Sequence, residues 1–160
     1  MHYLTPFLFP DTPMTIDLRP ACLDDYDFAL KLYVEAIRPL ASAWIEWVDA
    51  DQEAQFASLW RPNDTRIIVL DGEEIGWVEF RQTKDEVFLK QLYTTPKHQR
   101  QGIGSQIIRL LNEQARTAKS MALFVLKNNP AFRFYQRHGF EVIRETHTTL
   151  VMRRAMAEAA

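Results

Sequence analysis

Apolar and polar residues alternate from Thr15 to Arg19, the two-residue period of a short strand. The next apolar positions, Phe28, Ala29, Leu32, Tyr33 and Ala36, recur three and four residues apart and predict a helix. Asp24-Asp25 stands where it could cap that helix and complement its dipole, and Pro39 where it would end it. Residues 49 to 60 predict a second helix with Phe56, Leu59 and Trp60 on one side, capped at Asp49 or Asp51 and stopped by Pro62-Asn63. The period then shortens. Arg66 to Leu70 and Ile75 to Arg81 read as strands joined by an Asp71-Gly72 hairpin turn, and Val87 to about Thr94 reads as a third. Helical spacing returns after Gly104, with Ile107, Ile108, Leu110, Leu111 and Ala115 toward a core. The almost unbroken apolar run Met121 to Leu126 predicts a strand buried on both faces. A short helix from Pro130 to Arg137, stopped by Gly139, and a closing strand pair, Phe140 to Ile143 and Thr146 to Met152, complete the chain. The order β-α-α-β-β-β-α-β-α-β-β is that of an α/β protein, a mixed sheet with helices on both sides.

Length and composition narrow the picture to one domain. With 160 residues, 47% of them hydrophobic, the chain can bury one real core but not two. Residues 1–13, with Pro6, Pro10 and Pro13, read as an N-terminal extension before a domain spanning residues 14–156. No apolar run approaches the length of a membrane span and the first residues lack the pattern of a signal peptide, so a soluble, cytoplasmic protein is expected. The single cysteine, Cys22, excludes an internal disulfide and reads as a small buried residue rather than a nucleophile. Four scattered histidines have no metal-ligand spacing, and no metal is expected.

Charge is segregated along the chain. Residues 94–140 carry eight bases and one acid, residues 1–93 eight bases and 17 acids. Such a field favours a polyanionic ligand on the later segment and a cationic one facing the earlier, although solvated helix faces would produce the same segregation. The basic segment also raises nucleic-acid binding, which an overall pI near 6.1 disfavours.

The stretch Gln99-Arg100-Gln101-Gly102-Ile103-Gly104 lies between a strand and a helix. A loop opening a helix leaves backbone N–H groups without intrahelical partners at the positive end of the dipole, which suits a phosphate. Gly102 and Gly104 remove side chains where ligand oxygens would approach, and Arg100 adds a cation. A dinucleotide fingerprint would need a third glycine where Ile107 stands, and a P-loop a lysine before Ser105.

Taken with a second stretch, Val125 to Phe140, these residues resemble the GCN5-related N-acetyltransferase (GNAT) superfamily over about residues 15 to 153. Its diphosphate signature is matched by Gln99, Gly102 and Gly104, preceded by Leu92-Tyr93-Thr94-Thr95-Pro96; its second signature is matched by Asn129, Ala131, Tyr135 and Gly139-Phe140. The resemblance implies a GNAT-type fold in which acetyl-CoA lies across a split between two splayed central strands, here Phe88 to Thr94 and Met121 to Leu126. It implies that the amides of Gln99, Arg100, Gln101, Gly102, Ile103, Gly104 and Ser105 take the diphosphate and that the strand edge at Leu92, Tyr93 and Thr94 pairs with the pantetheine. The Thr94 amide would polarise the thioester carbonyl, and Asn128 or Asn129, with Ala131, would touch the pantetheine or fix the entry of the following helix. Tyr135 would protonate the departing thiolate, its alternative being an aromatic packed beside Phe132 and Phe134.

An attacking amine must be neutral, which calls for a base. Glu79 is the first choice and Glu46, between Trp44 and Trp47, the second; Trp44, Trp47 and Tyr33 are candidates to wall the acceptor pocket. The expected function is transfer of an acetyl group from acetyl-CoA to a primary amine, on a small molecule or a protein, by direct attack in a ternary complex. The alternative is a non-catalytic acyl-CoA sensor, against which the proton donor Tyr135 argues. No nucleic-acid or membrane partner is expected, and a homodimer through the closing strand Thr146 to Met152 is left open.

Overall fold

A computed structural model describes residues 15–156. Seven strands form one sheet in the order β1-β2-β3-β4-β5-β7-β6. They are β1 (Ile16–Pro20), β2 (Thr65–Leu70), β3 (Glu73–Gln82), β4 (Glu86–Thr94), β5 (Ser120–Leu126), β6 (Glu141–Glu145) and β7 (Thr149–Ala155), with helices α1 (Tyr26–Ala41), α2 (Asp49–Leu59), α3 (Ile103–Gln114) and α4 (Ala131–Arg137). The predicted order of elements and the mixed α/β class hold. The predicted extension over residues 1–13 lies outside the described residues.

Neighbouring strands are antiparallel except β4 and β5, which run parallel and are joined through α3. The Asp71-Gly72 turn between β2 and β3 takes positive φ at both positions, 49° and 85°, the geometry a two-residue hairpin requires. Alternation then sorts side chains onto two faces. Ile68 on β2 joins Ile107, Ile108 and Leu111 of α3 and Met121 and Leu123 of β5 in the larger core, while Ile67 joins Ala29, Leu32, Phe56 and Trp77 beneath α1 and α2. Trp77 is fully buried, and its indole N–H donates to the Ala29 carbonyl at 3.1 Å, tying α1 to the sheet.

Several local expectations give way to tertiary partners. Asp25 occupies the N-cap position of α1 as expected, but its side chain does not cap the helix: its carboxylate takes two hydrogen bonds from Arg19, at 2.9 and 2.8 Å, and the Cys22 N–H at 2.8 Å. α1 continues through Pro39 to Ala41, its last turn closed by Ser42 N–H to the Arg38 carbonyl. This near its end the helix forgoes one hydrogen bond without breaking. α2 starts after Val48 with no side-chain cap, because Asp49 accepts the Trp47 indole N–H instead. Cys22 is exposed rather than buried. Strand β5 is not covered on both faces, since Phe124 is 44% exposed beyond the point where β4 leaves it. The exposed edge on that side is β6, not β7, which lies between β5 and β6, so the basis for a dimer through the last strand is lost.

The Arg19 guanidinium, through its hydrogen bonds, is the main reason that the Asp25 carboxyl lies at about 2 rather than 3.8. Asp25 is buried, so Asp25→Asn is expected to destabilise the fold by about 2 kcal/mol at neutral pH. A carboxyl lowered on folding contributes fully above its unfolded value and loses the contribution as pH falls toward 2. Denaturant unfolding should therefore separate the variant from the parent at neutral pH and bring the two together near pH 2.

Candidate active site

Strands β4 and β5 pair from Glu86 opposite Ser120 to Leu89 opposite Leu123 and no further. The closed end is clamped by Glu86, whose Oε2 accepts from Ser120 Oγ at 2.7 Å and Arg153 Nε at 2.8 Å. Burial raises this carboxyl, but the two donors outweigh it and hold it below its ordinary value. At the other end the strands part, for a reason visible in the β3–β4 register. Phe80 faces Leu89 and Glu79 faces Gln91, so Lys90 is one residue too many, a β-bulge that turns the rest of β4 away from β5.

The split opens a cleft of about 350 Å³. Leu89, Leu92 and Tyr93 line one side, Leu123, Val125 and Leu126 the other, and α1 and α2 contribute Tyr33, Ile37, Gln55 and Leu59. Six of the candidate residues meet here: Tyr33, Glu79, Leu92, Tyr93, Asn129 and Tyr135. Tyr135 is buried, its ring edge-on to Phe134 and Phe140 at 5.2 and 5.7 Å, and burial pushes its phenol up to about 12. The packing alternative and the site alternative for this residue are thus compatible: its ring is in the core and it faces the cleft. Asn129 Oδ1 accepts the Ala131 N–H at 2.9 Å, fixing the entry to α4.

Glu79 is 2% exposed on β3. Its Oε1 accepts from Gln91 Nε2 at 2.9 Å, and the Gln91 side-chain Oε1 in turn accepts the Tyr93 hydroxyl at 3.0 Å. That chain fixes which way the Gln91 amide faces, its NH2 toward Glu79 and its oxygen toward Tyr93. Oε2 is left without a hydrogen bond, and the Lys90 ammonium stands 3.6 Å from it. Burial, then the neighbouring Tyr33, Tyr135 and Glu79, raises the Tyr93 phenol well above its ordinary value, so it remains a donor.

Beyond β4 the chain turns through Pro96–His98, held by a 2.6 Å contact between Thr95 Oγ1 and His98 Nδ1, into the loop before α3. Gln99 Nε2 donates to the Thr94 carbonyl and Gln101 Nε2 to the Lys97 carbonyl. Arg100 and Gly102 both adopt left-handed backbone, φ 63° and 79°, and no side chain caps the first amides of α3. Alternating conformations of this kind gather successive N–H groups into an anion-binding concavity. A Cβ on Gly102 would meet nothing within 4 Å, leaving open the space in front of those amides. Gly104 has a different reason from the expected one: its Cβ would lie 2.9 Å from the Phe134 ring, so its missing side chain admits α4 against α3 rather than a ligand. Ile103 is buried beneath the loop, and Ser105 Oγ lies 2.9 Å from His138 Nε2. Burial first, then the cations of Arg154, Arg137 and Arg109, lowers the His138 imidazole.

Other candidates lie apart. Glu46 is exposed in the α1–α2 connection and does not line the cleft, nor do Trp44 and Trp47. Asn128 Nδ2 donates to the Leu40 carbonyl at 3.0 Å, bracing the end of α1, and Ala131 packs against the larger core. Thr94 is half-buried outside the cleft lining. Sequence reasoning passed over Lys90 and Gln91; a lysine-glutamine pair inside the apolar run Val87 to Tyr93 was the available signal. Among the described residues no group of three or more metal-ligating side chains occurs, and no helix is long and apolar enough to cross a membrane.

The acetyltransferase (GNAT) domain family matches residues 62–142, half of the chain. The chain belongs to the GNAT family. Peptidyl-lysine N-acetyltransferase YiaC of Escherichia coli (strain K12) is 33% identical over 73 residues, 46% of this chain and 47% of that protein, so the chain matches about half the length of this relative. Two solved structures share the GNAT fold. An acetyltransferase from Thermus thermophilus superposes with a TM-score of 0.67 at 21% identity, over 88% of this chain and 97% of that one. The PaiA N-acetyltransferase of Thermoplasma acidophilum, in complex with coenzyme A, gives 0.66 at 16% identity, over 88% and 99%.

Proposed function

We propose that this GNAT protein transfers an acetyl group from acetyl-CoA to a primary amine by direct attack in a ternary complex. The observation that carries the reading is the split between β4 and β5, which brings a buried carboxylate and a buried phenol into one cleft and leaves the β4 edge beyond Leu89 without a β5 partner. The residues present suit the ligand. Uncapped amides and two left-handed residues around Gly102 fit a diphosphate, and a free strand edge flanked by Leu92, Val125 and Leu126 fits an extended pantetheine arm. The bound thioester supplies the activated acetyl group.

In this reading the amides from Arg100 to Ser105 hold the diphosphate, the Gln99 amide being engaged by the Pro96 carbonyl, and Leu92 to Thr94 align the pantetheine as an added strand. Asn129 keeps α4 in place. Glu79, presenting Oε2, accepts the proton of the incoming ammonium. Tyr135 donates its proton to the sulfur as the thiolate leaves, a role suited to a phenol that stays protonated at neutral pH. YiaC is named for action on peptidyl lysine, which supports a protein amine as acceptor. Glu79, buried at the acceptor end, favours a cationic group there. A pure sensor would need neither acid nor base.

Isothermal calorimetry on two substitutions at Gly102 tests the diphosphate assignment. Asn and Asp both tolerate left-handed backbone, so both variants should fold. Gly102→Asp, which places a carboxylate beside the phosphates, should weaken acetyl-CoA binding about tenfold or more relative to Gly102→Asn. Equal affinities would remove the loop from the site. Release of CoA thiol across a panel of amines and lysine peptides then tests transfer itself; binding without release on every acceptor would favour the sensor.

A further inference from the structure

We propose that Lys90 is itself an acceptor, so that the chain acetylates its own bulge lysine when given acetyl-CoA and no other amine. The inference rests on the proposed function and adds a modification site to it. Lys90 is the extra residue of the β4 bulge, and it lines the same cleft as Tyr135, Asn129 and Leu92. Its ammonium is 3.6 Å from Glu79 Oε2, the buried oxygen that has no hydrogen bond. Among the described residues it is the only cation within ion-pair distance of Glu79. The place where an incoming ammonium would meet the base is therefore already taken by an amine of the protein.

The step balances without a further reactant. Glu79 takes one proton from the Lys90 ammonium, and the nitrogen lone pair forms a bond to the thioester carbonyl carbon as the carbon–sulfur bond breaks. Tyr135 protonates the departing sulfur and recovers a proton from the newly acylated nitrogen, while Glu79 returns its proton to water. Products are Nε-acetyl-Lys90 and CoA. The reaction removes the cation beside Glu79 and leaves that carboxylate to the next amine.

Exposure gives a background to measure against. Lys97 and Lys119 have side chains 74% and 82% exposed, against 34% for Lys90. Uncatalysed acetylation by a donor in solution should favour those two. The full-length chain would be incubated with acetyl-CoA alone, followed by intact mass and peptide mapping, with calorimetry for acetyl-CoA on the same sample. One acetyl group per chain is expected, on Lys90, at least about tenfold faster than on Lys97 or Lys119 and at a rate independent of protein concentration. Acetyl phosphate, which lacks the CoA handle, should restore the order set by exposure. Tyr135→Phe should slow Lys90 about tenfold or more and leave Lys97 and Lys119 unchanged. Lys90 reacting no faster than the exposed lysines, or at a rate proportional to protein concentration, while calorimetry shows binding, overturns this inference alone. Absence of binding overturns the proposed function with it.

Discussion

Tyr135→Phe is expected to lower the rate of CoA release by about a hundredfold to ten-thousandfold while leaving the dissociation constant for acetyl-CoA within about threefold. The ring is seated between Phe134 and Phe140, and the substitution removes only an oxygen, so packing and cleft shape persist. A loss confined to turnover marks an interaction made while the thiolate departs, not one made on binding. The buried phenol, at about 12, also makes a prediction about pH. Tyr135 keeps its proton across the working range, so any alkaline fall in the parent's rate below about pH 11 must come from another group and should survive in Tyr135→Phe. Turnover within twofold of the parent, by thiol release under saturating amine, would eliminate Tyr135 as the proton donor.

The parts of this architecture that could be read from the chain are those with local causes. Asp71-Gly72 dictates its hairpin by backbone preference, and the spacing of Ile107, Ile108 and Leu111 places α3 on the sheet whatever lies around it. The loop at Gly102 could be anticipated because positive φ and a helix start leave a recognisable trace. The parts that could not be read depend on distant partners. Asp25 stands where a helix cap belongs and serves Arg19 instead, a choice made by a strand packing across it. Glu79 within Trp77-Val78-Glu79-Phe80 would ordinarily be taken for a solvent-facing position, and partners on the adjoining strand, the Gln91–Tyr93 chain and the Lys90 ammonium, make its burial tolerable. The bulge at Lys90 is legible only as a mismatch between two strands, so neither strand alone announces it. That single extra residue both opens the cleft and delivers a lysine to its carboxylate.

Glu79→Gln is expected to reduce kcat/KM for the amine about a hundredfold at neutral pH, with acetyl-CoA affinity preserved. Glutamine has the same shape and can still accept from Gln91 through its carbonyl, so the Glu79–Gln91–Tyr93 chain keeps its geometry and the loss isolates the charge. The pH dependence distinguishes a base from a binding group. An aliphatic amine is ionised below about pH 10, so a variant without the base must wait for the neutral fraction, and its rate should climb about tenfold per pH unit through the neutral range. The parent, which strips the proton on the protein, should respond more weakly, and the two should converge as pH nears 10. If Glu79 served only to attract the cation, the variant would instead show a raised KM with kcat intact at every pH, and the convergence at high pH would appear in KM alone, because there is then less cation to attract. Lys90 complicates the comparison in a useful way. Its ammonium loses its carboxylate partner in the variant, and Lys90→Met tests what remains: if Glu79 acts as base on external amines, that substitution should leave transfer to them in place while Glu79→Gln in the same background still costs about a hundredfold.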